Sequence, residues 1–392
     1  MNEYKTSKKY ALSFIAIMAL LLALLALSTP ATAEYIAEDT KMNIYKQGEG
    51  DLNYTYGGPY QCVWGYDSEG NSDTGTFNIN LAHIPNLAKL IEDEEIEARL
   101  YVYWTWSGVD VCDNIKYGVS WNKDYGVYPA LDAEFNGEPV SFDYAPGTDW
   151  IADYTDAKKI SAVGLEWFEA GRVGGNFPSG TNCSNIPVNL LLSGNNVVSV
   201  TNMYPYQGPV GETYCPLGYI SGTGRARVCI QGVGLLLTLK EDNKRYWIAE
   251  GNDMTHVYWY KNDWKYGRNP EMATTKVTFA GPVEEDMNKA ILTSVIPLGC
   301  ISDDEHMSES CAFWYPNNRL YFNYFFNTWD GLWISKWHPI YPNIAVSVTD
   351  VSDSYLLNQD NVAGFQNGLY SGPQGCRCMQ VANAFLVVEK EV

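Results

Sequence analysis

Nine cysteines, four histidines and 46 carboxylates are the residues of this chain whose types could do chemistry. The cysteines are Cys62, Cys112, Cys183, Cys215, Cys229, Cys300, Cys311, Cys376 and Cys378. Only Cys376 and Cys378 lie close in sequence, and no C-x-x-C occurs. His83, His256, His306 and His338 are scattered, with no H-E-x-x-H. That spacing does not build a zinc or iron–sulfur centre. The acids Asp110 and Asp113, Asp149 and Asp153, and Asp350 and Asp353 form spaced pairs of the kind glycoside hydrolysis uses. In so acidic a chain such pairs arise by chance, and the run Glu92–Glu95 reads as a solvated face. Asp303, Asp304 and Glu305, with Asp350 and Asp353, offer hard oxygens that suit Ca2+, but no complete EF-hand loop accompanies them. There is no G-x-S-x-G elbow, P-loop or dinucleotide fingerprint. The sequence therefore names no catalytic residue and implies no enzyme and no cofactor; the loop acids read first as exposed carboxylates, with Ca2+ as the alternative.

The elements that would position these residues begin with an export signal. Lys5, Lys8 and Lys9 precede the apolar run Ala11–Leu27, and Ala31-Thr32-Ala33 follows. That order marks residues 1–33 as a signal peptide cleaved after Ala33, with no membrane span in the mature chain. In an oxidising compartment thiols pair, and an odd number leaves one for another chain or for none. Asn53-Tyr54-Thr55 and Asn182-Cys183-Ser184 are then glycosylation sequons, with Asn53 and Asn182 as acceptors.

Beyond the signal the pattern is all-β. From Ala98 to Trp106, Ala98, Leu100, Val102, Trp104 and Trp106 fall on one face and Arg99, Tyr101, Tyr103 and Thr105 on the other. This is a strand with one buried face. Short runs of this type alternate with Gly, Asn, Asp and Pro, as in a sandwich or jelly roll. Helical pattern is confined to a turn at Leu87, Leu90 and Ile91 and another at Val163–Phe168.

Leu191–Asn202 matches Leu356–Asn367, and Cys229–Leu239 matches Cys378–Val388. A weaker match sets Ala98-Arg99-Leu100 against Ala290-Ile291-Leu292. Each copy contributes parts that need an opposing sheet to bury them. The reading is two tandem jelly-roll-like β-sandwich domains related by internal duplication, over 34–270 with insertions and over 271–392. The correspondence predicts equivalent bridges Cys112–Cys229 and Cys300–Cys378. Cys62, Cys183, Cys215, Cys311 and Cys376 then remain for intermolecular links or as thiols.

The chain holds 29 Tyr and 13 Trp. Aromatic rings supply contact area at low entropic cost. Tyr101 and Tyr103 are expected on an outward face, and Trp333 and Trp337 at the surface, to meet protein or sugar rings. The formal net charge of −20 disfavours nucleic acid and anionic lipid.

Ala98–Trp104, the Phe135-Asn136-Gly137 turn, and Gly232–Leu237 leading to Tyr246–Asp253 carry a resemblance, echoed in Leu320–Asn323 and Val348–Val351. On these segments the chain resembles secreted proteins of methanogenic archaea related to sheath and surface-layer components. The resemblance implies tandem sandwiches in a cell envelope and supplies no active residues. Export, aromatic faces and the odd cysteine together lead to a structural subunit that assembles with copies of itself, with other envelope proteins or with glycans. A carbohydrate-binding or adhesin module is the alternative, and an extracellular hydrolase comes third.

Overall fold

The computed structural model describes residues 40–109, 125–126, 129–141, 150–152, 180–206, 214–215, 218–219, 224–255, 258–260, 263–268, 273–281, 287–297, 300–301, 318–335, 344–356, 359–368 and 379–390. Residues 1–33, read from the sequence as a signal, and the turn expected at Val163–Phe168 lie outside them. The alternation read from Ala98 to Trp104 holds within the strand Ile96–Val109. Ala98, Leu100, Val102 and Trp104 all enter one hydrophobic core. Arg99, Tyr101 and Tyr103, on the opposite face, are buried too. A strand with two dry faces must lie between two further layers, and four antiparallel sheets supply them.

In the first sandwich the outer sheet runs Thr74–Asn80, Asn195–Asn202, Leu131–Phe135, Glu138–Val140. Its inner sheet runs Asp51–Gly57, Ala226–Leu239, Ile96–Val109, Gly180–Ile186, Trp150–Ala152. Gln61–Trp64 adds to the far half of Ala226–Leu239. Phe77, Ile79, Phe135, Val198 and Val200 from the outer sheet meet Leu100, Val102, Trp104, Leu235 and Leu237 from the inner one. The short helix Leu87–Glu92 forms where expected and lays Leu87, Leu90 and Ile91 on this core.

The second sandwich repeats the scheme. Its inner sheet runs Thr40–Glu49, Lys244–Thr255, Met379–Lys390, Met287–Ile296, Ala345–Asp350, and its outer sheet Thr274–Phe279, Asn361–Asn367, Asn318–Phe322, Tyr324–Asp330. Strand for strand, the outer sheets have the same order. The inner sheets agree over four strands, with Lys244–Thr255 taking the place of Asp51–Gly57. The match between Leu191–Asn202 and Leu356–Asn367 thus lies on equivalent strands.

Sheet membership divides the chain differently from the boundary read at 270. Lys244–Thr255 and the N-terminal strand Thr40–Glu49 both belong to the second sandwich, paired antiparallel with each other. The chain then passes into the first sandwich through Gly50, whose φ is 137°. A Cβ there would stand 2.4 Å from the Leu239 carbonyl oxygen, so only glycine fits the crossing. Residues 35–392 form one compact unit.

Two asparagines fix the equivalent turns in each half. Asn136, with φ 53°, donates from Nδ2 to Asn196 Oδ1 at 2.9 Å and accepts from Val197 N at 2.8 Å. Asn196 in turn accepts from Leu192 N at 2.9 Å and donates to Leu192 O at 2.8 Å. In the second half Asn323, with φ 59°, does the same to Asn361 at 2.8 Å and Val362 N at 2.8 Å. Asn361 clasps Leu356 at 2.8 and 2.9 Å. Asparagine tolerates the left-handed region and its amide replaces missing backbone partners. The bonding sets Leu192, not Leu191, opposite Leu356. The second turn is therefore one residue longer.

Candidate functional site

A dense group of ionisable and aromatic side chains lies on the third hydrophobic cluster, where the two inner sheets meet. Lys244–Thr255 touches both Asp51–Gly57 and Trp150–Ala152, the opposite edges of the first inner sheet, and so runs across that sheet's full width. Tyr101, Tyr103, Cys183 and Leu236 from one sheet pack against Tyr246, Ile248, Ala382 and Phe385 from the other. The rings of Tyr101 and Tyr103 stack at 6.1 Å between centroids, and Phe385 lies 6.2 Å from Tyr101.

Within this apolar frame sits a closed polar set. Arg99 donates from Nε to Glu250 Oε1 at 2.6 Å and from a terminal nitrogen to Glu250 Oε2 at 3.0 Å. Both side chains are 5% exposed. Tyr101 Oη adds a donor to Glu250 Oε1 at 2.7 Å, and Arg99 reaches Asn185 Oδ1 at 3.1 Å. The Tyr45 ring closes over the guanidinium at 4.0 Å. Tyr103 Oη donates to Asn383 Oδ1 at 2.7 Å and accepts from Tyr54 Oη at 2.9 Å. The charges are thus paired, bidentate and hydrogen-bonded, the condition under which an ion pair survives burial.

Burial, the largest single influence, would lower the Arg99 pKa, but the Glu250 hydrogen bond and the negative charges around it together outweigh it and hold the guanidinium charged. Burial pushes the Tyr101 hydroxyl well above its ordinary range, and the Glu250 charge pushes the same way. Burial does likewise to Tyr103, reinforced by Tyr54. Such groups neither attack nor exchange protons near neutrality. Their arrangement joins two sheets.

This geometry revises several expectations. Tyr101 and Tyr103 are each 0% exposed, because the face read as outward meets the second sandwich. Trp333 is also 0% exposed; it stacks near Phe365 and donates to Ser294 Oγ at 2.8 Å. Asn182 is 1% exposed and accepts from Trp104 Nε1 at 2.8 Å. A glycan on it would have to occupy the first core, so the folded chain does not present it. Asn53, on the edge strand Asp51–Gly57, is half-buried.

Cys229 bridges to Cys62, not Cys112. The two sit directly opposite each other on neighbouring strands, and 167 residues separate them in sequence. Cys62 thereby leaves the group read as intermolecular. Cys183 is buried beside Tyr101 and Tyr103. Cys112, Cys311, Cys376, Cys378 and Trp337 lie outside the described residues, as do the side chains of Cys215 and Cys300. Asp350 and Asp353 flank a turn, where Asp350 Oδ1 accepts from Ser352 N at 3.0 Å and Ser352 Oγ at 2.5 Å. Among the described residues no group of three or more His, Cys, Asp or Glu could hold a metal, and no helix is long and apolar enough to cross a membrane. The residue that reading the sequence missed is Glu250. Its only signal was an acid directly after the apolar run Tyr246–Ala249, within the same strand.

A family model described as a protein of unknown function, DUF3344, matches residues 35–389. The chain belongs to the DUF3344 family. No curated protein matches this family member. Among solved structures it is similar to BuGH86wt in complex with neoagarooctaose, at 12% identity and TM-score 0.22, over 48% of this chain and 18% of that one. The chain thus spans under a fifth of that structure's length. It is also similar to PNGase F, a glycosylasparaginase from Flavobacterium meningosepticum, at 11% identity and TM-score 0.26, covering 87% and 97% of the two chains. The ANXUR1 extracellular domain from Arabidopsis thaliana is similar at 7% identity and TM-score 0.21, with 90% and 97% covered.

Proposed function

We propose that this DUF3344 protein is a structural subunit of an extracellular sheath or surface layer, acting without catalysis. The observation that carries the reading is the sealed Arg99–Glu250–Tyr101 set between the inner sheets. It places a buried ion pair and its hydrogen bonds where they stiffen the molecule. Two sandwiches joined over a dry, hydrogen-bonded seam move as one rigid block, the property an envelope subunit requires. The Cys62–Cys229 bridge supports residence in an oxidising compartment. Copies of the same chain are the partners, joined through surfaces other than the buried Tyr101, Tyr103 and Trp333. The carbohydrate-binding alternative loses Trp333 as a surface platform. Fractionation of the native cells tests the reading. The mature protein should sediment with the envelope and resist release until denaturant and reductant are both present. A monomer found only in the culture medium would sink it.

A further inference from the structure

The two sandwiches treat one equivalent edge differently. Ala345–Asp350 closes the second inner sheet, as Gly180–Ile186 nearly closes the first. In the first sandwich a further strand, Trp150–Ala152, adds antiparallel along Gly180, Thr181 and Asn182. Among the described residues no strand pairs with the outer edge of Ala345–Asp350. Val348, on that edge, is 70% exposed, the largest exposure among the large apolar side chains described as exposed. Val346, two residues away and so on the same face, is half-buried against the seam cluster, as is Val387. Ile291, which pairs across from Asp350, is half-buried too. The apolar face of the seam thus continues past the covered region and ends at an edge that no strand covers among the described residues.

We propose that this edge pairs with the same edge of a second copy, antiparallel about a two-fold axis, extending the five-stranded sheet into one of ten strands. The partner rests on the assembly reading above; the place rests on the edge alone. Three features select a second copy. The fold already satisfies the equivalent edge of the first sandwich by antiparallel strand addition. An antiparallel pair of identical strands is self-complementary, as a closed dimer requires. The strand carries one charge, Asp350, in a chain of net charge −20. A register that puts Val348 opposite itself sets Val346 against Asp350 and keeps the two carboxylates apart. Each unpaired backbone N–H and C=O of the edge then gains a partner.

Sedimentation equilibrium of the purified mature chain across a concentration series, with Val348→Lys beside it, tests this. The wild type should dimerise, and a lysine on the paired face should weaken association about tenfold or more without lowering Tm. Val348→Cys should add a reductant-sensitive dimer under mild oxidation that the wild type lacks. A wild type that stays monomeric, or a dimer indifferent to Val348→Lys, overturns the pairing. If Val348→Lys still sediments with the envelope in full, assembly stands and edge pairing falls. If the dimer behaves as expected but the protein is absent from the envelope, the pairing stands and the sheath reading falls.

Discussion

The two sandwiches share strand order and both asparagine clasps, yet they are finished differently. The first is stapled by Cys62–Cys229 and carries the added strand Trp150–Ala152. In the second sandwich Val348 stands on an exposed edge, and the core holds two buried tryptophans, Trp247 on a central strand and Trp333 beyond the hairpin. The difference teaches which parts of a duplicated sandwich are fixed by physics. Turn geometry is retained because each clasp satisfies several backbone groups at once. Edges and staples diverge because each copy has different neighbours. Where the copies meet, the inner sheets stop being equivalent, for one supplies Arg99 and the other Glu250.

The largest effect should come from breaking that meeting point. Arg99→Met leaves Glu250 buried and unpaired and should cost about 3–5 kcal/mol, read as a lowered denaturant midpoint. Arg99→Met, Glu250→Leu and Tyr101→Phe together should cost clearly less, since no charge or hydroxyl is then stranded. A triple variant as unstable as the single one would mean that the ion pair itself, not the avoidance of an unpaired charge, holds the sandwiches together.

The disulfide should separate the two copies. Cys62→Ala with Cys229→Ala frees a 167-residue separation and should cost about 2–4 kcal/mol. Amide exchange should rise chiefly in Gln61–Trp64 and the facing part of Ala226–Leu239, with Asn361–Asn367 little changed. Equal loosening of both outer sheets would show that the bridge serves the whole block instead of its own sandwich.

Much of this was legible in the residues, and the remainder was hidden for identifiable reasons. Period-two alternation located the strand around Leu100, and the match of Leu191–Asn202 with Leu356–Asn367 located the two equivalent segments, though not the asparagine clasps within them. The second face of the same strand was not legible. Tyrosine is amphipathic, so Tyr101 and Tyr103 look alike whether they meet water or a sheet. Only Glu250, 151 residues from Arg99, decides between the two. Cysteine pairing failed for the same reason. The repeat placed Cys229 on the right strand, but Cys62 opposes it through a short separate strand, Gln61–Trp64, whose place in the second sandwich is taken by the far end of Lys244–Thr255, where Asp253–Thr255 pair with Met379–Val381. Nor did periodicity reveal that Thr40–Glu49 crosses to the other sandwich, since a strand's pattern records that one face is dry and not which sheet dries it.

The clasps should give matched, smaller effects. Asn196→Ala and Asn361→Ala each strand Leu192 or Leu356 backbone groups and should cost about 2–3 kcal/mol. Thermal denaturation should place the two variants within about 0.5 kcal/mol of each other. A clear inequality would mean that the longer turn before Asn361 has shifted its share of the work to neighbours such as Asn323.

The smallest effect at neutral pH is the most specific to the seam. Tyr103→Phe removes the hydrogen bond to Asn383 and should cost about 1–2 kcal/mol. At high pH the sign reverses. Unfolded tyrosine ionises near about 10, whereas Tyr101 and Tyr103 in the folded chain are raised well above that by burial. A raised folded pKa gives stability that is complete below about pH 10 and is lost as pH climbs past it. Each such group contributes a slope of about 1.4 kcal/mol per pH unit. The wild type should therefore lose about 2.7 kcal/mol per unit through this pair, and Tyr103→Phe about half as much. The two stability curves should converge within about one pH unit above 10. Parallel curves from neutral pH to alkaline unfolding would show that Tyr103 ionises in the folded chain, and hence that the seam between the inner sheets opens to water.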